Sequence, residues 1–178
     1  MTPTKARAMI GALAAMAMIA PATGAMAQET KNRVAVKTDW SVFTEGNPKE
    51  CWGVSSPKSS VITENGKKVS AQRGDILLFV TYRPGHDGKG EVSFTGGYPF
   101  AKDSTADLVI GSDKFTMITD GEWAWPAKPE DDQKVIDAMK GGADAVITAH
   151  SSRGKETKDT FSLLGFTAAT EDAATRCK

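Results

Sequence analysis

Apolar and polar residues alternate with a period of two through many short runs of the chain, the pattern expected of half-buried β-strands. Val34 to Val36 and Trp40 to Phe43 open the series, and Asn47-Pro48 turns the chain toward Cys51 to Ser55, where Trp52 and Val54 share one face. Asn65-Gly66 is a strong hairpin signal between Ser60–Thr63 and Lys68–Ala71. Asp75 to Tyr82 is apolar at both parities, which reads as a central strand covered on two faces. Pro84, Gly85, Gly88 and Gly90 form a loop before the alternating run around Val92 and Phe94. Leu108 to Ile110 and Phe115 to Ile118 flank a tight turn at Gly111-Ser112-Asp113, and Asp120-Gly121 turns into Glu122 to Trp125. Ala145 to Ala149 and Thr160 to Leu164 complete the series around a polar loop, Ser151 to Lys158. Many short strands with Gly, Pro, Asn and Asp at the turns predict a sandwich or barrel.

Two segments change period. Pro129 to Lys140 opens with Pro and the acidic run Glu130-Asp131-Asp132, suited to a helix N-terminus. It places Val135, Ile136, Ala138 and Met139 on one side and stops at Gly141. Phe166, Ala169, Ala173 and Cys177 fall on a second helical stripe, so Cys177 faces inward. The expected fold is therefore mainly β: an antiparallel β-sandwich-like single domain with two short helices, about 129–140 and 167–176.

The first 27 residues do not fit that fold. Lys5 and Arg7 precede an apolar stretch from Ala8 to Ala20, and Ala25-Met26-Ala27 supplies a small-x-small cleavage pattern. The reading is a secretory signal peptide, 1–27, cut before Gln28. The apolar stretch is shorter than the roughly 20 residues of a spanning helix. Residues 28–178 then form one β-rich domain, a size that buries about 70% of the unfolded surface in a single core. Removing Lys5 and Arg7 from the 22 basic residues leaves a small acidic excess against 22 Asp and Glu, and no basic tract. Nucleic acid is not an expected partner. No second apolar run of spanning length follows, so no integral membrane segment is expected in the mature chain.

Export gives the two cysteines a meaning. The space beyond a bacterial inner membrane is oxidising, and Cys51 and Cys177 are the only pair available. Their bridge would close a loop of 126 residues, which chain-entropy arguments value near 5 kcal/mol. A reactive thiol or a metal ligand has less support, since there is no CxxC and no paired histidine.

Candidate chemistry is sparse. His86 sits in the turn Gly85-His86-Asp87-Gly88, and His150 ends a strand beside Ser151 and Ser152, neither of which lies in a G-x-S-x-G elbow. Glu130-Asp131-Asp132 lacks the spaced ligands and central glycine of a calcium loop, and no phosphate-binding glycine motif occurs. No cofactor, metal or catalytic residue is expected. Trp123 and Trp125, two apart, project from one strand face. They are either core or edge filler, with Pro126 marking a strand end or sheet edge, or a platform for a sugar or a partner's apolar surface. Arg153-Gly154 lies in the last hairpin loop, where the guanidinium is either simply solvated or presented to a partner.

The order of several short segments resembles the invasion-associated locus B family, exported proteins of alphaproteobacteria. The matching stretches include Cys51-Trp52, Pro57, Gly96-Gly97-Tyr98-Pro99-Phe100, Phe115, Glu122-Trp123-Ala124-Trp125 and Ala138-Met139-Lys140-Gly141. The most distinctive is Ser151-Ser152-Arg153-Gly154, followed by Asp159-Thr160-Phe161-Ser162-Leu163, Gly165-Phe166-Thr167-Ala168-Ala169 and a late Cys177. The chain departs from the pattern at Lys155, where Thr is expected, and in having only two cysteines. The resemblance implies a periplasmic or envelope-associated protein with a β-sandwich-like fold, no established enzymatic activity and no catalytic residues to transfer. The resulting expectation is a non-enzymatic protein that binds a protein or envelope component, with Trp123, Trp125 and Arg153 as contacts. A small-molecule or carbohydrate-binding module is the alternative, and a hydrolase built around His150 the second.

Overall fold

The computed structural model describes residues 32–178. The expected leader, Met1 to Ala27, and its cleavage before Gln28 lie outside the described residues. The alternating runs become strands β1 (Arg33–Lys37), β2 (Trp40–Glu45), β3 (Glu50–Ser55), β4 (Ser59–Glu64), β5 (Lys67–Lys68) and β6 (Leu77–Tyr82). They continue as β7 (Glu91–Thr95), β8 (Thr105–Ile110), β9 (Asp113–Asp120), β10 (Trp123–Pro126), β11 (Asp144–His150) and β12 (Glu156–Ser162). Helix α1 (Asp131–Gly141) separates β10 from β11, and α2 (Phe166–Arg176) follows β12. The mainly β, antiparallel expectation with two helices holds.

All twelve strands join one sheet, in the order β1-β2-β3-β6-β7-β10-β9-β8-β11-β12-β4-β5, and every pairing is antiparallel. A sheet this wide curls under its accumulated twist. Here the curl brings β2 back beside the end of β12. The Asp39 amide donates to the Leu164 carbonyl at 3.2 Å, and Lys58 N–H donates to Thr160 O at 2.7 Å. The indole Nε1 of Trp40 donates to Ser162 O at 3.0 Å. That return explains how β3 connects to β4 through only Ser56, Pro57 and Lys58, although the two strands lie far apart in the sheet order.

The inside of the curl is the core. Val42, Leu78, Val80, Phe94, Leu108, Met117, Ile147 and Phe161 are fully enclosed, and both helices add to them. Helix α1 contributes Val135, Ile136 and Met139. Helix α2 packs across β1, β2, β3 and β6 with Phe166, Ala169 and Ala173 inward. The Phe166 ring meets Trp40 edge-on with centroids 4.9 Å apart. Gly165 starts this helix at φ +88°, and a Cβ there would lie 1.9 Å from the Lys37 carbonyl oxygen. Only glycine fits that approach. Cys51 in β3 bridges Cys177 just past α2, with Cα atoms 5.8 Å apart, and so fastens the helix over the sheet.

Several details differ from the sequence reading. The polar loop shrinks to a tight turn, because Glu156 to Lys158 belong to β12 and Leu163–Leu164 fall outside it. Thr157 and Asp159 alternate inward with Phe161, so a buried polar pair disguises the strand. The second arm of the Asn65-Gly66 hairpin is only two residues long. Strand β6 is internal, but its outward Leu77 and Phe79 are half-buried because no second layer among the described residues covers them. Pro126 marks the end of β10 as expected, but not a sheet edge: β10 lies between β7 and β9, and Pro126 is itself buried.

Candidate functional site

Strict alternation gives the sheet an outward face as well defined as its core. Ala124 is fully buried between Trp123 and Trp125, so both indoles point out, 41% and 38% exposed. They are therefore neither core nor edge filler. Opposite Trp125 stands Ile118 of β9, 51% exposed. Across β7, Phe79 of β6 meets Trp123 with ring centroids 5.8 Å apart. Farther along, Trp52 of β3 stacks on Phe43 of β2 at 5.6 Å, nearly parallel. On edge strand β1, Val36 pairs with outward Ser41 and is 58% exposed. Among the described residues, Val34 and Leu164 are the only other exposed large hydrophobics.

Two hollows share this surface. One of about 820 Å³ is floored by Phe43, Trp52 and Phe79. The second, about 280 Å³, is floored by Trp52, Phe79, Trp123 and Trp125, with Ser93 among them. Because Trp52 and Phe79 belong to both, the aromatic surface is continuous across β2, β3, β6 and β10. Ion pairs stand at both ends of its polar boundary. Arg83 donates to Glu50 at 2.6 Å and also to Glu91, and these two carboxylates hold the guanidinium above its ordinary range. At the other end Lys58 hydrogen-bonds Asp39, which together with the Ser162 hydroxyl keeps that carboxyl below the usual aspartate value. Such a face suits stacking and apolar contact rather than bond-breaking chemistry.

Arg153 is elsewhere. It lines a separate pocket of about 200 Å³ at the end of the curled sheet, between the turn after β11, the segment Gly97–Pro99 and the strap Ala71–Arg73. One lining residue, Arg73, belongs to a buried ion pair. Arg73 Nη1 and Nη2 donate to the two oxygens of Asp159 at 2.8 and 2.6 Å, while its Nε donates to Gly96 O. The guanidinium lies 4.9 Å from the centroid of Tyr98, whose hydroxyl contacts Thr157 Oγ1 at 2.5 Å. Burial raises the Tyr98 pKa, against the opposing pull of Thr157 and Arg73. The three proposed contacts thus divide between two places, Trp123 and Trp125 on the outward face and Arg153 in the pocket.

The histidines are exposed. His86 occupies its turn with Nδ1 3.8 Å from Glu91, and His150 Nε2 lies 3.9 Å from cross-strand Glu156. The neighbouring Ser151 hydroxyl accepts from Lys155 N–H rather than from an imidazole. Among the described residues no group of three His, Cys, Asp or Glu is gathered for a metal, and no helix is long and apolar enough to cross a membrane.

Sequence reasoning missed Phe43, Trp52 and Phe79 as members of the face. Their signal was present: apolar residues occupied the outward parity of strands whose inward parity was already apolar. Arg73 and Asp159 carried no local signal, because 86 residues separate them.

Residues 40–174 match the family model described as invasion associated locus B (IalB) protein. A search of the curated proteins finds no match. Among solved structures, the crystal structure of invasion associated protein b from Bartonella henselae is similar, with 13% identity and a TM-score of 0.53. The alignment covers 80% of this chain and 96% of that one. At that identity the likeness concerns the fold.

Proposed function

The chain belongs to the invasion associated locus B family, and on that premise we propose that it works in the cell envelope by binding, through the outward aromatic face of its sheet. The reading takes Met1 to Ala27 as a cleaved leader and residues 28–178 as the periplasmic domain. The disulfide between Cys51 and Cys177 fits an oxidising compartment. The observation that carries the proposal is the continuity of Phe43, Trp52, Phe79, Trp123 and Trp125 on a face that has no second layer among the described residues. Contiguous apolar surface that stays open to solvent commonly marks an interaction site.

The occupant is a protein or another envelope component. A carbohydrate is the second reading, favoured by Ser93 lying in one hollow with Phe79, Trp123 and Trp125, since a sugar offers an apolar ring face and hydroxyls together. The test is co-sedimentation of the oxidised domain with envelope fragments and with purified insoluble envelope polysaccharide. The wild type is expected to pellet with at least one of them, and the Trp123→Ala/Trp125→Ala variant to stay in the supernatant with its disulfide intact. Equal pelleting of both proteins removes the aromatic face from the account.

A further inference from the structure

The pocket beside Arg153 stands apart from the aromatic face and shares no lining residue with it. Its charges are the informative feature. Arg73 is committed to Asp159, and Lys155 reaches Glu64 at 3.3 Å, so these cations are already neutralised. Arg153 and Glu122 remain. Both line the pocket and both are exposed, yet among the described residues neither makes an ion pair with the other or with a third group. One arginine and one glutamate without an ion-pair partner thus line a single small space.

We propose that this pocket recognises a small zwitterion of the α-amino-acid type, its carboxylate against Arg153 and its ammonium against Glu122. A guanidinium fork matches a carboxylate through two parallel hydrogen bonds. A ligand of either single charge would leave one of the two protein groups unanswered. Size points the same way. At about 200 Å³ the pocket falls below the roughly 300–1,000 Å³ of ordinary small-molecule sites. Ile62, Ala71 and Pro99 give its wall an apolar stretch for a short side chain.

The walls are fixed before any ligand arrives. The Gly74 amide donates to the Gly97 carbonyl at 2.8 Å, and a Cβ on Gly97 would lie 2.6 Å from the Gly74 oxygen. Arg73 then pins the strap to β12 from beneath. Preorganisation of this kind lowers the ordering cost of binding a weak, small ligand.

The test is an NMR and calorimetric titration of the disulfide-bonded chain with glycine, L-alanine, D-alanine and L-leucine, beside acetate and isobutylamine as single-charge probes. At least one amino acid is expected to saturate the site, with acetate and isobutylamine each weaker by about tenfold or more. Arg153→Gln and Glu122→Gln should each weaken the amino acid by about tenfold or more, with unchanged circular dichroism. The proposal is overturned if no amino acid saturates, if acetate binds as tightly as the best amino acid, or if either variant binds like wild type. The Trp123→Ala/Trp125→Ala protein should bind the amino acid normally, which separates this site from the outward face.

Discussion

Arg73 and Asp159 form a two-pronged ion pair, 2.8 and 2.6 Å, in which the side chains are only 6% and 0% exposed. The strap before β6 and the middle of β12 are thereby locked across the mouth of the curl. Removing one member leaves a buried charge unpaired, at a cost of about 3–5 kcal/mol. Arg73→Leu and Asp159→Leu should each lower the urea midpoint by that equivalent. The double variant should recover much of the loss, because no isolated charge remains. Additive losses in the double variant would show that the pair is not an interacting unit.

The bridge from Cys51 to Cys177 makes a second expectation. Thiol titration of denatured, unreduced protein should give no free thiol, and mass analysis of the same exported sample should begin at Gln28. Cys51→Ser/Cys177→Ser should lose up to about 5 kcal/mol by the loop-closure estimate, less where the unfolded chain retains structure. Two titratable thiols in the native protein would contradict the oxidised structure.

On the outward face, stability and binding should separate. Trp123→Ala loses its contact with Phe79, a matter of about 1 kcal/mol, and Trp125→Ala should cost no more. Ala124→Leu, one position away but fully enclosed, overpacks the core and should cost about 1–3 kcal/mol. Thermal melts of the three variants check the order. Only the tryptophan variants should lose envelope binding.

The ion pairs of Asp172 should hold until strongly acid pH. Burial acts to raise the Asp172 pKa, but hydrogen bonds from Arg176 at 2.5 Å and from Lys37, with their charges, outweigh it. The carboxyl therefore sits below the ordinary aspartate value of about 3.9. For a carboxyl whose pKa falls on folding, the stabilisation is complete above the unfolded value and disappears as pH drops through the folded one. Wild type should thus exceed Asp172→Asn in stability from pH 7 down to about 5, and the gap should close below about 4. Denaturant midpoints across that range measure it. A gap that stays constant into strong acid would assign the difference to packing rather than charge.

Turn chemistry and parity made most of the strands legible in the sequence. The turns at Asn65-Gly66, Gly111-Ser112-Asp113 and Asp120-Gly121 occur where those residues permit positive φ, and both helices lie within two residues of their expected ends. The failures share one cause. Glu156 to Lys158 look like loop because the polar residues of β12 find their partners far along the chain, and Pro126 ends its strand without marking a sheet edge because β10 gains its neighbours from separate parts of the chain. Parity along one strand assigns Trp123 and Trp125 a common side, but only the assembled sheet decides whether that side meets the core or the solvent.

The link between β3 and the end of α2 also sets a timetable. At ribosomal rates of about 5–20 residues per second, Cys177 arrives roughly 6–25 s after Cys51. Throughout that interval β2 and β3 lack the helix that roofs them, so Trp40 and Val42 stay uncovered in the nascent polypeptide. Such a delay places the committed folding step late, after α2 has been synthesised.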